Sequence, residues 1–515
     1  MLGVHRPPRR AAVAAVALFV VAFGYAFRLV RPLSAGSVGP DAIAPVTELR
    51  RLLAGQPLEG FLTQTSKPLL DVVYGAVHAL VPDWRAVALT AVVAFAVTVV
   101  LGAILAYRIG GLASAAFAAF GILVSPALLI DVSLAYAVTW LVLLLLVAGL
   151  AAVASPPRYG LAGVALMLGT LARPEGVAVT LVATAGLIVA EVMAIARRGT
   201  HPPRTAYRLL IGFLAIPILM AHDGLLFGNP LYWANAAAEN SAGRNTLGLV
   251  GMVGWMGGHF VSQAALLPLS AVAVWLLARR RQWPILLGLL GVILGIAGLF
   301  VVSGARGTLI PARYLFPIDV GLVFASAIGV SALDLPSVRR DASRWIGAAP
   351  AATALPIALG LLAAVAVTPI SLLDAPARSE VSRNLALHAN ANRVMGLLRS
   401  TLGPVPSWRG LPAGSGFEPQ PLLIVAPQIR QQAVLDLDLP LTEVAYDWPR
   451  FVYPSNGRPA PGTLLYLDRH DDHNAHSRRE LQISQPTVIA GRRYVPVYVS
   501  RQRGIWVLRV EAAGS

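Results

Sequence analysis

Lysine occurs once in this chain, at Lys67, and the other 40 basic residues are arginines. Lys67 lies in the stretch TSKPLLD, directly before a proline and at the start of an apolar segment. An ammonium group is a compact charge with three donors, which suits it to binding phosphate. It is also typical of an interface anchor, whose stem lies on apolar surface while its charge reaches water. Both interpretations are open.

Two aspartates are candidates for acid–base chemistry. Asp41 lies in GPDAIAP, where an interfacial amphipathic helix is expected to begin, and Asp131 lies in LLIDVSLAY beside an apolar segment. A carboxylate at a membrane surface can remove a proton from a hydroxyl group as a general base. For Asp41, the alternative is a helix N-cap, a position that favours aspartate.

Charged residues also interrupt the apolar sequence. LARPEGV places Arg173 and Glu175 between two apolar segments, and PARYLFPID places Arg313 and Tyr314 at the outer end of another. Ionisable side chains at membrane depth are costly and are usually functional. The alternative for Arg173 and Glu175 is a self-neutralising pair that caps the next helix.

Two further motifs carry weaker signals. LFGNPLYW places Asn229 in a Gly-Asn-Pro turn beside two aromatic residues, which fits a substrate contact or an aromatic belt with a turn. DRHDDHNAH, at 468–476, holds the residue types that bind metals. Its spacing is not characteristic of a metal site, so the pattern favours a solvated loop.

The elements that must position these residues are membrane helices. The chain has 515 residues, of which 56% are hydrophobic and 13% charged, against about 25% charged in soluble domains. The formal net charge of +16 is assigned to topology and anionic lipid headgroups, not to nucleic acid. The chain has no cysteine, so it forms no disulfides.

A span needs about 20 apolar residues. The predicted spans are 11–30 (read as uncleaved), 86–107, 133–153, 175–196, 207–227, 259–278, 283–303, 312–333 and 347–368, with shorter ones at 68–82 and 158–172. The stretch 111–131 is either re-entrant or a helical hairpin because Ser125 and Pro126 interrupt it. These alternatives predict about 11 or 13 spans.

Arginine clusters set the expected orientation. The clusters at 6–10, 197–208, 279–281 and 339–344 fit the cytoplasmic side, where positive loops accumulate. This arrangement places six charged residues together on the extracytoplasmic face: Asp41, Lys67, Asp131, Arg173, Glu175 and Arg313. A purely structural bundle does not need that convergence.

The sequence after 369 is richer in charge and proline and contains no further predicted span. Strands are predicted at 421–426, 463–468, 493–500 and 505–511, and an amphipathic helix at 384–402. The expected organisation is a transmembrane domain, 1–368, and a small external α/β domain, 369–515.

The ordered motifs resemble the GT-C superfamily of integral-membrane glycosyltransferases, in particular the PMT, ArnT and RgtA/B/C/D-like group that uses polyprenyl-phosphate sugars. The matching features are Asp41 after the first span, SKPL around Lys67, RPEG, FGNPL and RYLFP. The resemblance covers roughly residues 11–335. The chain departs from the pattern at Ala42, where many relatives carry a second acidic residue, and at Leu69, where they carry proline.

The resemblance implies a mainly α, polytopic GT-C-like bundle in the cell membrane, with its active face and C-terminal domain outside the cytoplasm. It implies inverting transfer of a sugar from a polyprenyl-phosphate donor to an acceptor hydroxyl, with Asp41 as the base and Asp131 assisting it or holding a divalent cation. The expected phosphate ligands are Lys67, Arg173 and Arg313, and the expected substrate contacts are Glu175, Asn229 and Tyr314. No cofactor is assigned, and the acceptor stays open between lipid, glycan and protein.

Two other functions are compatible with such a chain. A transporter or lipid flippase predicts internal repeats and charges near the bilayer midplane. We find no internal repeat, and the charged motifs fall at one interface. A non-catalytic membrane scaffold predicts no converging acidic and basic groups.

Overall fold

The computed structural model describes most of the chain. The described residues, some of them by backbone alone, are 11–30, 38, 40–53, 66–125, 131–132, 134–196, 201–233, 247–280, 282–307, 312–331, 375–402, 423–425, 429–437, 444–446, 462–470, 481–489 and 491–512. They fall into two compact units. The first unit comprises 1–30, 62–73 and 89–374, and the second comprises 31–61, 74–88 and 375–515.

Up to residue 331 the described secondary structure is helical. The helices are α1 (Ala11–Val30), α2 (Pro40–Leu53), α3 (Pro68–Leu80), α4 (Trp84–Leu123), α5 (Val138–Ala152), α6 (Tyr159–Ala172), α7 (Gly176–Ala196), α8 (Ala215–Phe227), α9 (Gly248–Ser262), α10 (Leu267–Arg279), α11 (Trp283–Leu290), α12 (Ile296–Ala305) and α13 (Phe316–Val330). A 3-10 helix, Arg204–Leu214, leads into α8, and another, Ala312–Leu315, leads into α13. A π-helical turn, Gly291–Gly295, joins α11 to α12.

Four of the described helical stretches are long and apolar enough to cross a membrane, at 84–123, 176–196, 204–227 and 285–305. The pair α9 and α10 is a fifth candidate, although the two helices meet at 95°. Shorter apolar helices accompany them in the described part of the chain. The protein is therefore a polytopic, mainly α membrane protein. The total of 11 or 13 spans and the orientation in the membrane stay predictions.

Three predicted spans differ from the described helices or lie outside them. The single span predicted at 259–278 is divided between α9 and α10 by the turn at 263–266. The ambiguous stretch 111–131 starts at a break inside α4, where Gly111 adopts φ 81°, a conformation that glycine accepts without a steric penalty. The span predicted at 347–368 lies outside the described residues.

Helices of the first unit approach one another through small and hydroxyl-bearing residues. Between α10 and α13, Ser326 Oγ donates to the carbonyl of Leu266 at 3.0 Å, and the Ser270 and Ser326 hydroxyls lie 3.2 Å apart. A Cβ atom at Gly329 would collide with the backbone of Leu269. Small residues and interhelical hydroxyl bonds are typical of membrane helix interfaces, where no hydrophobic effect drives association.

The second unit contains a mixed six-stranded sheet. Its elements are α14 (Ala375–Leu402), β1 (Leu423–Val425), α15 (Arg430–Leu437), β2 (Val444–Tyr446), β3 (Leu464–Asp468), β4 (Thr487–Ile489), β5 (Arg492–Ser500) and β6 (Ile505–Ala512). The strand order is β2-β1-β3-β6-β5-β4. The first three strands are parallel, and the pairs β3–β6, β6–β5 and β5–β4 are antiparallel. The register of β5 shifts after Pro496, which cannot donate to the ladder.

The four predicted strands and the amphipathic helix are confirmed, with α14 starting earlier than expected. In β6, Trp506, Leu508 and Val510 share one packed face, and Ile505 and Val507, which alternate with them, are buried as well. The short strands β2 and β4 and helix α15 were missed. The division at residue 369 stays a prediction, and two earlier segments, 31–61 and 74–88, group with the C-terminal residues.

Candidate functional site

The RPEG motif forms a tight turn between α6 and α7. Arg173 is extended (φ −153°, ψ 127°), the conformation that a following proline favours, and α6 ends there. The backbone N–H of Gly176 donates to the carbonyl of Arg173 at 3.0 Å. A Cβ atom at Gly176 would lie 2.9 Å from the backbone nitrogen of Thr170, so only glycine fits this approach. The sequence therefore determines the turn locally.

This turn carries a buried ion pair. Arg173 Nη2 lies 2.6 Å from Glu175 Oε1, and Nε lies 3.1 Å from Oε2, which makes the contact bidentate. The guanidinium also lies over the ring of Tyr314, with Cζ 4.1 Å from the ring centre. Both charged residues are buried, at 3% and 9% exposure. The structure thus brings together three of the predicted site residues from the RPEG and RYLFP motifs.

Lys67 is a further buried charged residue of the first unit. Its backbone carbonyl accepts bonds from the N–H groups of Leu70 and Asp71, at 2.8 and 3.1 Å, which begins α3. Pro68 takes the first helical position, where a missing N–H costs nothing. The residue is only 5% exposed, and its charge acts on the carboxylate of Glu175. An interface anchor keeps its charge in water, so the burial of Lys67 favours the ligand interpretation.

Asp131 has a structural task within the same unit. Its Oδ2 accepts from the backbone N–H of Thr139 at 2.8 Å and from Thr139 Oγ1 at 2.6 Å. Asp131 therefore caps the start of α5, where a carboxylate is favoured by the orphan N–H groups and the helix dipole. Asp131 is fully buried and interacts electrostatically with Arg173. Its predicted catalytic role stays a prediction.

A histidine between two aspartates contacts the first turn of α3 and was missed from the sequence. His222 Nε2 is 2.6 Å from Asp71 Oδ2, and Nδ1 is 3.0 Å from Asp223 Oδ1. The other oxygen of Asp223 accepts from the backbone N–H of Trp233 at 2.6 Å. These are metal-ligand types, yet the imidazole nitrogens face carboxylates at hydrogen-bond distances. The available signal was the pair His222–Asp223 inside the apolar run LMAHDGLL.

Ser66, which precedes Lys67, was also missed. Its side chain is fully buried, and its Oγ has no hydrogen-bond partner among the described residues. A buried hydroxyl without a partner costs about 1–3 kcal/mol and calls for an explanation such as a ligand.

The remaining predicted residues are placed only in part. Asp41 lies in the first turn of α2 and Arg313 in the 3-10 turn before α13, and neither side chain is among those described. Asn229 is exposed, and its Oδ1 accepts from the N–H of Leu231 at 3.0 Å, as in an Asx turn. The roles assigned to these three residues stay predictions.

The acidic–histidine motif of the C-terminal unit begins at Asp468, which is the last residue of β3. Asp468 Oδ2 accepts from Asn390 Nδ2 and from the Tyr466 hydroxyl, each at 2.9 Å. Its Oδ1 contacts the backbone N–H and the Nδ1 of His470, at 2.9 and 2.7 Å. Asp468 therefore links α14 to β3. Residues 471–476 of the motif lie outside the described residues.

Solved structures share this architecture across nearly the whole chain. Against ArnT from Cupriavidus metallidurans in the apo state, the identity is 16%, the overlap covers 98% of this chain and 99% of ArnT, and the TM-score is 0.51. ArnT bound to undecaprenyl phosphate gives 15% identity, 96% and 97% coverage, and a TM-score of 0.49. No family sequence model and no curated protein sequence matches the chain.

A longer protein is similar over part of its length. The archaeal oligosaccharyltransferase AglB from Archaeoglobus fulgidus, in complex with an inhibitory peptide and a dolichol-phosphate, is 14% identical, with a TM-score of 0.49. The match covers 84% of this chain but 64% of AglB. ArnT and AglB are both GT-C glycosyltransferases. The likeness to ArnT shows that this chain has the GT-C fold.

Proposed function

We propose that this protein is an inverting membrane glycosyltransferase that moves a sugar from a polyprenyl-phosphate donor to an acceptor hydroxyl on the external face of the membrane. The observation that carries the proposal is the set of buried charged residues Lys67, Arg173 and Glu175, with the partly buried ring of Tyr314 against Arg173, in a GT-C fold. The sequence-based resemblance placed the same motifs in one site.

The reaction needs few catalytic groups. The acceptor oxygen bonds to the anomeric carbon as the bond from that carbon to the phosphate oxygen breaks, and the phosphate leaves with the electron pair. Because the leaving group is already a phosphate, no general acid is required. The acceptor proton passes to Asp41, our candidate base.

Lys67 is the candidate ligand of the departing phosphate. The charge on that phosphate grows in the transition state, and a pre-positioned cation in a dry site stabilises it at little reorganisation cost. Ser66 adds a buried hydroxyl that lacks a partner among the described residues. Arg173 and Glu175 bind each other through two hydrogen bonds, so we assign this pair a structural role in the site.

The apolar tail of the donor needs an apolar surface. A cavity of about 480 Å³ lies between α4, α5, α6, α7 and α13 in the first unit. Its lining is mainly aliphatic and includes Val179, one helical turn beyond Glu175, and Pro317, three residues beyond Tyr314. We assign the first isoprenoid units of the donor to this cavity.

The test is radiolabelled transfer from a panel of polyprenyl-phosphate sugars in membranes that contain the full chain. Asp41→Asn should abolish transfer while the protein stays folded, because the amide cannot accept the proton. Lys67→Arg should impair transfer strongly. Transfer at the wild-type rate by both variants would contradict the assignment.

A further inference from the structure

We infer that His222 is a positioning residue that determines where the ammonium group of Lys67 lies. It does so by holding the first turn of α3 through Asp71. This inference rests on the proposed role of Lys67 as the phosphate ligand. It deepens that role, since it names the group that fixes where the ammonium points.

The first turn of α3 has two kinds of anchor in the first unit. Leu69 packs against the apolar cluster of Leu171, Ala215 and Leu219. Apolar packing of this kind is non-directional, so it permits small rotations and shifts of the turn. The bond between Asp71 and His222 is directional, and the backbone N–H of Asp71 donates to the carbonyl of Lys67 at 3.1 Å.

His222 is itself held in place. Asp223 contacts its Nδ1 and also accepts from the N–H of Trp233, which follows the turn at the end of α8. The side chain of His222 is 10% exposed, and those of Asp71 and Asp223 are 5% and 0% exposed. Few rotamers are open to three side chains buried and bonded in this way, so the histidine is a rigid support.

Substitution of His222 by glutamine or by asparagine tests the two contacts of its imidazole one at a time. The amide nitrogen of glutamine reaches about the position of Nε2, and that of asparagine reaches about the position of Nδ1. His222→Gln therefore keeps the bond to Asp71, whereas His222→Asn keeps only the bond to Asp223. Both variants lose the ring, so a purely structural role predicts similar effects for the two.

The single lysine supplies the first readout. The full-length protein is treated with an amine-reactive reagent, and mass spectrometry follows the modification of Lys67. We expect His222→Asn to change the labelling rate by about tenfold, because it releases the turn that carries the buried ammonium, and His222→Gln to stay near wild type. His259→Asn is the matched control, because it loses an Nε2 contact to an aspartate as His222→Asn does. It removes a histidine bonded to an aspartate, Asp319 at 2.8 Å, on helices that do not carry Lys67.

The second readout is binding of undecaprenyl phosphate to the same proteins in detergent. We expect affinity about tenfold weaker for His222→Asn and within about threefold of wild type for His222→Gln and His259→Asn. This follows from the loss of one bond to a charged group. Equal effects of Asn and Gln at His222 on both readouts, or no effect of either, would overturn the inference. If wild-type protein does not bind the lipid phosphate, the proposed function fails, and the labelling rates still test the positioning role.

Discussion

The two units each bury a carboxylate network, and the networks are built in opposite ways. In the C-terminal unit, both oxygens of Asp468 accept from protein groups on Asn390, Tyr466 and His470. In the first unit, Lys67 lies near the pair Arg173–Glu175, and the buried Ser66 hydroxyl lacks a bond within the described structure. A network whose carboxylate oxygens all accept from protein donors stabilises a junction, whereas a buried hydroxyl without a bond in the described structure can serve a ligand.

The largest expected effect comes from breaking the buried ion pair of Arg173 and Glu175 in the first unit. Arg173→Met should lower the free energy of unfolding by about 3–5 kcal/mol, because Glu175 would stay buried without its partner. Thermal unfolding in detergent measures this change. The double variant Arg173→Met with Glu175→Met should recover most of the loss. A double variant as unstable as the single one would show that the pair is not the source.

Lys67→Arg should act on the reaction and leave stability nearly unchanged. We expect transfer to fall by about 10²-fold, because the wider guanidinium cannot replace a compact ammonium in a buried position. Initial rates with a polyprenyl-phosphate sugar measure the effect. Arg279→Lys is the reverse exchange at an exposed helix end, and it should transfer normally. Equal rates for the Lys67 variant and wild type would remove Lys67 from the site.

Asp468→Asn tests the closed network of the other unit. In the wild-type protein both carboxylate oxygens of Asp468 accept hydrogen bonds. The asparagine would put an NH2 group in place of one of these oxygens, so one donor would lose its acceptor. We expect the free energy of unfolding to fall by about 1–3 kcal/mol. Turnover per folded molecule should stay at the wild-type value. Chemical unfolding monitored by tryptophan fluorescence measures the first quantity, and transfer assays measure the second. A loss of turnover without a loss of stability would show that this network also serves the reaction.

Ser66→Ala should have the smallest effect. The sign of the change in unfolding temperature shows whether the Ser66 hydroxyl stabilises the fold or is kept for a ligand. Removing a hydroxyl without a partner should leave the unfolding temperature unchanged or slightly raised. Affinity for undecaprenyl phosphate should fall by a few-fold, as expected for the loss of one neutral donor worth about 0.5–1.5 kcal/mol. Thr98→Ala is a suitable comparison, since its hydroxyl already donates within its own helix. A loss of stability in Ser66→Ala would show that this hydroxyl stabilises the fold, as the groups around Asp468 do in the C-terminal unit.

Local rules made part of the site predictable. The RPEG turn follows from the proline that extends Arg173 and from the glycine that approaches Thr170. The start of α3 at Pro68 follows from the same steric logic. Apolar runs such as PLLIVA and TLLYLD located four strands of the C-terminal sheet, whereas β2 and β4 lie in shorter apolar stretches.

Other parts could not be predicted because they depend on how apolar helices pack. The turn between α9 and α10 is followed by Pro268 at the start of α10, yet the apolar run there reads as one continuous span. Asp131 was assigned to chemistry, and the structure adds its bonds to Thr139 at the start of α5. Leu69, the departure from the SKPP-like pattern, packs on the apolar cluster beside α6 and α8.

By itself, the sequence determined a membrane-embedded helical chain, a single lysine at a helix start, a charged turn and a C-terminal α/β segment. These features depend on composition and on neighbouring residues, which steric and hydropathy rules govern. Only the tertiary structure joined Asp71 to His222, which lie 151 residues apart, and placed Tyr314 over Arg173. Membrane helices that are apolar on every side carry little information about which faces will meet, so the packing of the bundle decided those contacts.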